Sequence, residues 1–258
     1  MTNPTSNQDR NFGRKRRAAA IIPARYASTR FPGKPLALLC GKPMIQHVYE
    51  RVCQTEGLLE GAVWVATDDE RIFDAVTHFG GRCVMTGDCR TGTDRVRQAA
   101  RQIDCDVVLN VQGDEPLISP ECLSRLLEAF DDPEVEMATL RRPLEEGESN
   151  DPNTVKLVCA LSGDALYFSR SLIPFPRKSP VAPVFAHVGV YAYTKAFLEE
   201  MSDMPSTPLE LTESLEQLRV LEHGRRIRTV LTHQKSIGVD TPDDLSRAEK
   251  AFGALLKA

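Results

Sequence analysis

The 258-residue chain has seven cysteines (40, 53, 83, 89, 105, 122 and 159) but no Cys-x-x-Cys pair. An odd number of thiols spread over so long a chain is neither a disulfide framework nor a paired metal motif, and a reduced cytoplasm fits it best. Long apolar runs are also missing. The longest, such as residues 107–111, fall far short of the roughly 20 residues of a membrane helix, which excludes a transmembrane protein. No charge of one sign prevails: 32 basic against 36 acidic side chains give a formal net charge of -4, with nothing to indicate a nucleic-acid partner. Internal repeats and low-complexity tracts are absent. What remains is an ordinary globular composition, 41% hydrophobic and 26% charged, in a chain ample for a buried core.

Residues 1–17 are polar and end in Arg14-Lys15-Arg16-Arg17. The apolar stretch that follows stops at Pro23, shorter than the roughly 7 to 15 residues of a signal-peptide core. The expectation is a disordered basic tail over 1–17 and a single domain over 18–258, with a solvated extension favoured over a polyanion-binding tail.

From residue 18 onward, short β-rich runs alternate with amphipathic stretches of helical length, the pattern of an α/β layer fold with a mostly parallel sheet. Strands are expected at 18–22, 62–66, 107–111, 137–140, 155–160 and 227–231. The first three are apolar on consecutive positions and should be central, buried on both faces. Helices are expected at 44–55, 69–79, 93–103, 120–130, 208–221 and 242–256. Ser119-Pro120, Thr207-Pro208 and Thr241-Pro242 each place a hydroxyl N-cap before a first-turn proline. Thr207 and Glu210 have capping-box spacing. Pro174, Pro176, Pro180 and Pro183 make 173–183 an exposed loop. A small excursion from the main sheet is expected between Leu140 and about Ala192.

Ligands of open α/β sheets gather beyond the carboxyl ends of the strands. After the first strand comes a loop with Arg25, Arg30 and Lys34, cations that suit a triphosphate. Gly33-Lys34 is followed by Pro35, so this is not a P-loop, and a solvated basic loop is the alternative. After the third strand, Gln112-Gly113-Asp114-Glu115-Pro116 sets carboxylates beyond a buried run, where Asp114 is placed to hold Mg²⁺ or simply to serve a turn. In Gly238-Val239-Asp240-Thr241-Pro242 the acid Asp240 lies outside the helix, whereas Asp243 and Asp244 complement its N-terminus. Asp68 and Asp69 read as cap residues as well.

These segments, with Val65-Ala66-Thr67-Asp68, Gly92-Thr93-Asp94-Arg95, Ala165-Leu166-Tyr167-Phe168-Ser169-Arg170, His187-Val188-Gly189-Val190-Tyr191 and Leu215-Glu216-Gln217-Leu218-Arg219, follow one another in an order that resembles the 3-deoxy-manno-octulosonate cytidylyltransferases, or CMP-Kdo synthetases. The resemblance runs from about residue 19 to 250. It implies a cytoplasmic homodimer with a nucleotide-diphospho-sugar transferase-like, Rossmann-like α/β fold and a small sugar-binding and dimerisation excursion. The implied reaction joins CTP to Kdo with Mg²⁺ and releases pyrophosphate, for lipopolysaccharide biosynthesis. Carried over residue by residue, Arg25, Arg30, Lys34 and, near the cytidine, Gln112 bind CTP. Asp114 and Asp240 hold the metal, and with Lys34 they form the catalytic set. Arg95, His187, Tyr191, Glu216 and Gln217 bind Kdo.

Chemistry agrees with these roles. A guanidinium such as Arg95 can take the sugar carboxylate, while Tyr191, Glu216 and Gln217 offer partners to hydroxyls. Glu213, Glu216 and Gln217 would share one polar helix face beside the apolar row Leu211, Leu215, Leu218. The structural alternatives are a surface ion pair for Glu216 and for Arg95, and half-buried strand packing for His187 and Tyr191. Thr194 stands where the family often carries a basic residue. A CMP-sialate synthetase fits the two central loops less well, and a glycosyltransferase would want Asp-x-Asp where Gly113-Asp114-Glu115 stands.

Overall fold

The computed structural model describes residues 16–27, 30–178 and 182–255. In chain order its elements are β1 (Ala18–Pro23), β2 (Leu38–Leu39), β3 (Lys42–Pro43), α1 (Met44–Val52), β4 (Leu58–Thr67), α2 (Glu70–His78), β5 (Cys83–Met85), α3 (Gly92–Ala100), β6 (Val107–Asn110), α4 (Pro120–Glu128), β7 (Met137–Pro143), β8 (Lys156–Cys159), β9 (Ala165–Ser169), β10 (Phe185–Thr194), α5 (Lys195–Asp203), α6 (Pro208–Glu213), α7 (Gln217–Glu222), β11 (Arg228–Leu231) and α8 (Pro242–Leu255). A nine-stranded sheet has the order β11-β7-β10-β6-β1-β4-β5, with β8 branching off β10 and β9 off β8. Strand β1 pairs in parallel with β4 and β6, as do β4 with β5 and β7 with β11. Strand β10 runs antiparallel to β6 and β7 on its two sides.

The composition of β1 explains its central place. Ala18, Ala20 and Ile22 join one apolar layer with Ile45 and Val48 of α1, Ile72 of α2 and Leu123 of α4. Ala19 and Ile21 join the opposite layer with Val96 of α3, Phe197 of α5 and Leu218 of α7. Alternate side chains of a strand point to opposite faces, so only a run that is apolar at every position can sit between two helical layers. Helix α8 closes a third cluster through Ala248, against Leu39, Met44, Leu117 and Val239.

All six expected strands are present with shifted ends. Strand β4 starts at Leu58, ahead of the expected 62, because Glu60-Gly61 interrupts the apolar run and residues 59–61 are exposed. Strands β2, β3, β5 and β9 were not anticipated, and β10 entered only as the strand alternative for His187 and Tyr191; nor was α5 anticipated, whose cap is the Thr194 hydroxyl accepting from Phe197 N–H at 3.2 Å. The β8–β9 hairpin is the excursion expected between the seventh and tenth strands. Pro120 and Pro242 open α4 and α8 as read, although the Ser119 hydroxyl makes no capping bond. The Glu210 carboxylate accepts from Thr207 N–H at 3.1 Å.

The single helix expected over 208–221 is corrected to two. Ser214 adopts a left-handed φ of 52° and ends α6. Tertiary hydrogen bonds override the helical pattern there: Glu213 accepts from Ser169 Oγ at 2.6 Å and from Arg170 N–H at 2.9 Å, and Arg170 Nε donates to the Glu213 carbonyl at 2.8 Å. The common polar face of Glu213, Glu216 and Gln217 therefore does not form, and Leu211, expected in the packing row, is 67% exposed.

Residues 1–15 of the expected tail lie outside the described residues, as do 179–181 of the proline-rich loop. Arg16 and Arg17, counted with the tail, are tied to the domain instead. Arg17 forks onto Asp104, and Arg16 donates to the Pro133 carbonyl at 3.1 Å.

Candidate active site

Strand β1 delivers the cationic loop directly beyond its carboxyl end. Gly33 has a φ of 70°, and a Cβ there would stand 3.1 Å from the Tyr26 ring, so a side chain at the turn into Lys34 would be strained in its backbone and crowded against that ring. Lys34 Nζ lies 2.7 Å from Asp114 Oδ2 and 3.0 Å from Asp240 Oδ1, and Arg30 Nη2 lies 3.1 Å from Asp240 Oδ2. Burial alone would lower the Lys34 pKa, but Asp114 and then Asp240 more than offset it, and the group is held above its ordinary value.

The two acids meet because their backbones are stitched together. The loop after β6 packs under β1, where a Cβ on Gly113 would come within 2.9 Å of the Pro23 carbonyl. Val239 N–H donates to the Asp114 carbonyl at 2.9 Å. Asp244 Oδ2 accepts from Asp240 N–H at 3.1 Å and from Thr241 N–H at 2.9 Å, so the acid expected to cap α8 does so and also sets the Asp240 backbone. Beneath them sits Glu115, which the sequence reading passed over. Its pKa is pushed up to about 7, mainly by burial, with Asp114 and Asp240 adding to the shift.

A cleft of about 450 Å³ gathers Arg25, Arg30, Lys34, Arg95, Gln112, Asp114 and Asp240. It thus contains the whole nucleotide and metal set named from the sequence, together with one residue named for the sugar. Arg95 is buried, and its fork is engaged: Nη1 donates to Thr86 Oγ1 at 2.5 Å and Nη2 to Asp68 Oδ2 at 2.6 Å. This corrects the cap reading of Asp68, which is the partner of Arg95; Asp69 does cap α2, accepting from Arg71 N–H at 3.0 Å. It also replaces the surface pair considered for Arg95 by a buried one.

The other four sugar-acid residues lie outside that cleft. His187 and Tyr191 project from β10 with ring centroids 5.4 Å apart. His187 also meets the edge of Phe168, at 5.1 Å. Burial pushes the His187 pKa down to about 4 and raises that of Tyr191. Glu216 accepts from Thr93 Oγ1 at 2.5 Å rather than pairing at the surface, and burial raises its pKa against that bond. Gln217 is buried with no partner for its Nε2 among the described residues, an amide left free to donate to a ligand. A second cleft of about 470 Å³, lined by Glu216, Asp94, Arg97 and Arg219, shares the wall Cys89, Arg90 and Thr91 with the first. The first turn of α3 joins the two sets, since Thr93 holds Glu216 while Arg95 faces the nucleotide residues.

Two carboxylates are the usual protein share of a Mg²⁺ site completed by phosphates and water, and the oxygen donors of Asp114 and Asp240 fit that role. Among the described residues no group of three or more His, Cys, Asp or Glu could cage a metal without substrate.

A cytidylyltransferase family profile matches residues 19–227. The chain belongs to the cytidylyltransferase family. It is 50% identical over 246 residues to the 3-deoxy-manno-octulosonate cytidylyltransferase of Myxococcus xanthus, covering 94% of this chain and 97% of the relative. It is 51% identical over 236 residues to the 8-amino-3,8-dideoxy-manno-octulosonate cytidylyltransferase of Shewanella amazonensis, covering 89% and 96%. Among solved structures, a CMP:2-keto-3-deoxy-manno-octonic acid synthetase complexed with CTP superposes with a TM-score of 0.89 at 46% identity, covering 92% of this chain and 99% of that one. A 4-diphosphocytidyl-2C-methyl-D-erythritol synthase from Anaerococcus prevotii, 15% identical with a TM-score of 0.63, shares the fold.

Proposed function

We propose that this cytidylyltransferase activates Kdo with CTP, giving CMP-Kdo and pyrophosphate for lipopolysaccharide assembly. The observation that carries the reading is the single cleft holding three loop cations beside the Asp114 and Asp240 pair. The anomeric hydroxyl of the sugar attacks the α-phosphorus and releases its proton to solvent, the new O–P bond replaces the bond to the β-phosphate bridge, and pyrophosphate leaves. Arg25, Arg30 and Lys34 offset the charge of the triphosphate and of the departing pyrophosphate. Asp114 and Asp240 would hold Mg²⁺, which when bound supplies charge neutralisation at the triphosphate. His187, Tyr191, Glu216 and Gln217 orient the sugar acid. Gln112 lies by the cytidine.

Several attributes complete this reading. A homodimer is supported by the exposed apolar residues Leu161 and Leu166 on the β8–β9 hairpin. A cytoplasmic location is supported by seven free cysteines. No helix among the described residues is long and apolar enough to cross a membrane.

Pyrophosphate release from CTP with Kdo, 8-amino-Kdo and sialic acid tests the proposal. Release with Kdo is expected; release with no sugar acid overturns it, and release with the amino sugar alone moves the substrate to that analogue.

The position of Arg95 leads to a second expectation. Arg95→Ala leaves Asp68 without its cation at the wall of the nucleotide cleft, and Arg95→Lys keeps the charge but loses the fork. Both should raise the apparent constant for CTP about tenfold or more, with a smaller change for Kdo. Steady-state kinetics varying each substrate in turn decides; the reverse order would return Arg95 to the sugar carboxylate.

A further inference from the structure

A register slip in β10 places one threonine against the sugar-acid residues. Between Val188 and Tyr191 the partner strand β7 advances by a single residue, from Leu140 to Thr139. Gly189 and Val190 are therefore bulged out. His187 and Tyr191, four apart in sequence, face Arg141 and Thr139, only two apart. In an unbroken strand four residues span roughly 13 Å, yet these rings are 5.4 Å apart. Bulges of this kind re-aim side chains beside functional sites.

Thr139, fully buried on β7, fills the bulge. Its Oγ1 lies 2.8 Å from the Val190 carbonyl, 3.4 Å from the Val188 carbonyl and 2.9 Å from His187 Nε2. A hydroxyl carries one proton, and carbonyl oxygens only accept. The two carbonyl contacts can only be met with that proton, so satisfying the contact with His187 as well puts a hydrogen on Nε2. Burial keeps the His187 ring neutral, with its pKa pushed down to about 4. A neutral imidazole protonated at Nε2 has a bare Nδ1.

We propose that Thr139 is a positioning residue for the sugar acid: it fixes His187 in the tautomer whose Nδ1 accepts a hydrogen bond from a substrate hydroxyl. The inference rests on the reading of His187 as a sugar contact. Its chemical consequence is that His187 receives a hydroxyl and cannot donate to the sugar carboxylate, which is left to cations elsewhere in the site.

The test combines nitrogen NMR of histidine-labelled enzyme with kinetics of Thr139→Val, Thr139→Ser and His187→Phe. In the wild type and in Thr139→Ser the His187 signal should show hydrogen on Nε2 and none on Nδ1. Thr139→Val should shift it toward the other tautomer. The apparent constant for Kdo should then rise by about three- to tenfold, the scale of one neutral hydrogen bond, with the constant for CTP unchanged and Thr139→Ser restoring the wild-type value. A wild-type spectrum with hydrogen on Nδ1 overturns the proposal without any variant. So does a Thr139→Val enzyme with the wild-type spectrum and wild-type Kdo constant. His187→Phe separates the two levels: if its Kdo constant is normal, the sugar contact itself fails, whatever the tautomer.

Discussion

Asp240→Asn and Asp114→Asn should each reduce turnover by more than about a hundredfold at saturating CTP and ordinary Mg²⁺, because each removes one charge from the proposed two-carboxylate Mg²⁺ site, where metal stabilisation would amount to several kcal/mol. The amide keeps the shape and one oxygen but leaves Lys34 facing a single anion. Folding should survive. Both side chains are partly exposed, and the Asp240 backbone is held by Asp244 and by the Val239 contact rather than by its own carboxylate. Single-turnover kinetics beside a thermal melt separates chemistry from stability, and near-normal turnover of either variant would remove that residue from the metal site.

Lys34→Ala should raise the apparent constant for CTP by about ten- to a hundredfold, the scale of a lost charge-assisted hydrogen bond. Two effects act in the same direction. The variant loses a cation from the triphosphate cleft, and it leaves Asp114 and Asp240 without the ammonium that lies 2.7 and 3.0 Å from them. Kdo affinity should stay nearly intact, since His187, Tyr191 and Gln217 line neither that cleft nor its neighbour. Isothermal titration with CTP and with Kdo measures the two separately; a larger loss for Kdo would assign the cationic loop to the other substrate.

The legible parts of the fold were those set by local chemistry. Strands β1 and β6 are apolar at successive positions, and the starts of α4, α6 and α8 carry their proline signals. Strand β10 was hard to see because its Gly189–Val190 bulge breaks the two-residue alternation. The break at Ser214 was hidden for another reason: residues 208–221 are amphipathic, and only the bonds from Glu213 to Ser169 and Arg170 in a distant hairpin undo the helix.

The same contrast holds for the site. Arg25 and Asp114 stand close behind the ends of β1 and β6, and Arg30 and Lys34 lie in the loop after β1, so position marks that end of the sheet as a ligand site; Asp240, just before α8, was joined to them only by the resemblance. The partners that orient the remaining residues could not be read in either way. Asp68 on Arg95, Thr93 on Glu216 and Thr139 on His187 are ordinary residue types at unremarkable spacings, joined only by the tertiary fold.

Asp240 reaches its partner through the Val239 backbone bond and through α8 seated on Leu39, Met44 and Leu117. During synthesis the ribosome therefore releases every strand of the sheet, the loop cations and Asp114 before it delivers the second carboxylate. A translation product stalled short of residue 240, or an enzyme clipped there by a protease, would retain the cations that attract a triphosphate but lack half of the acid pair. On the proposed roles of Asp114 and Asp240, such fragments should be inactive however well they fold.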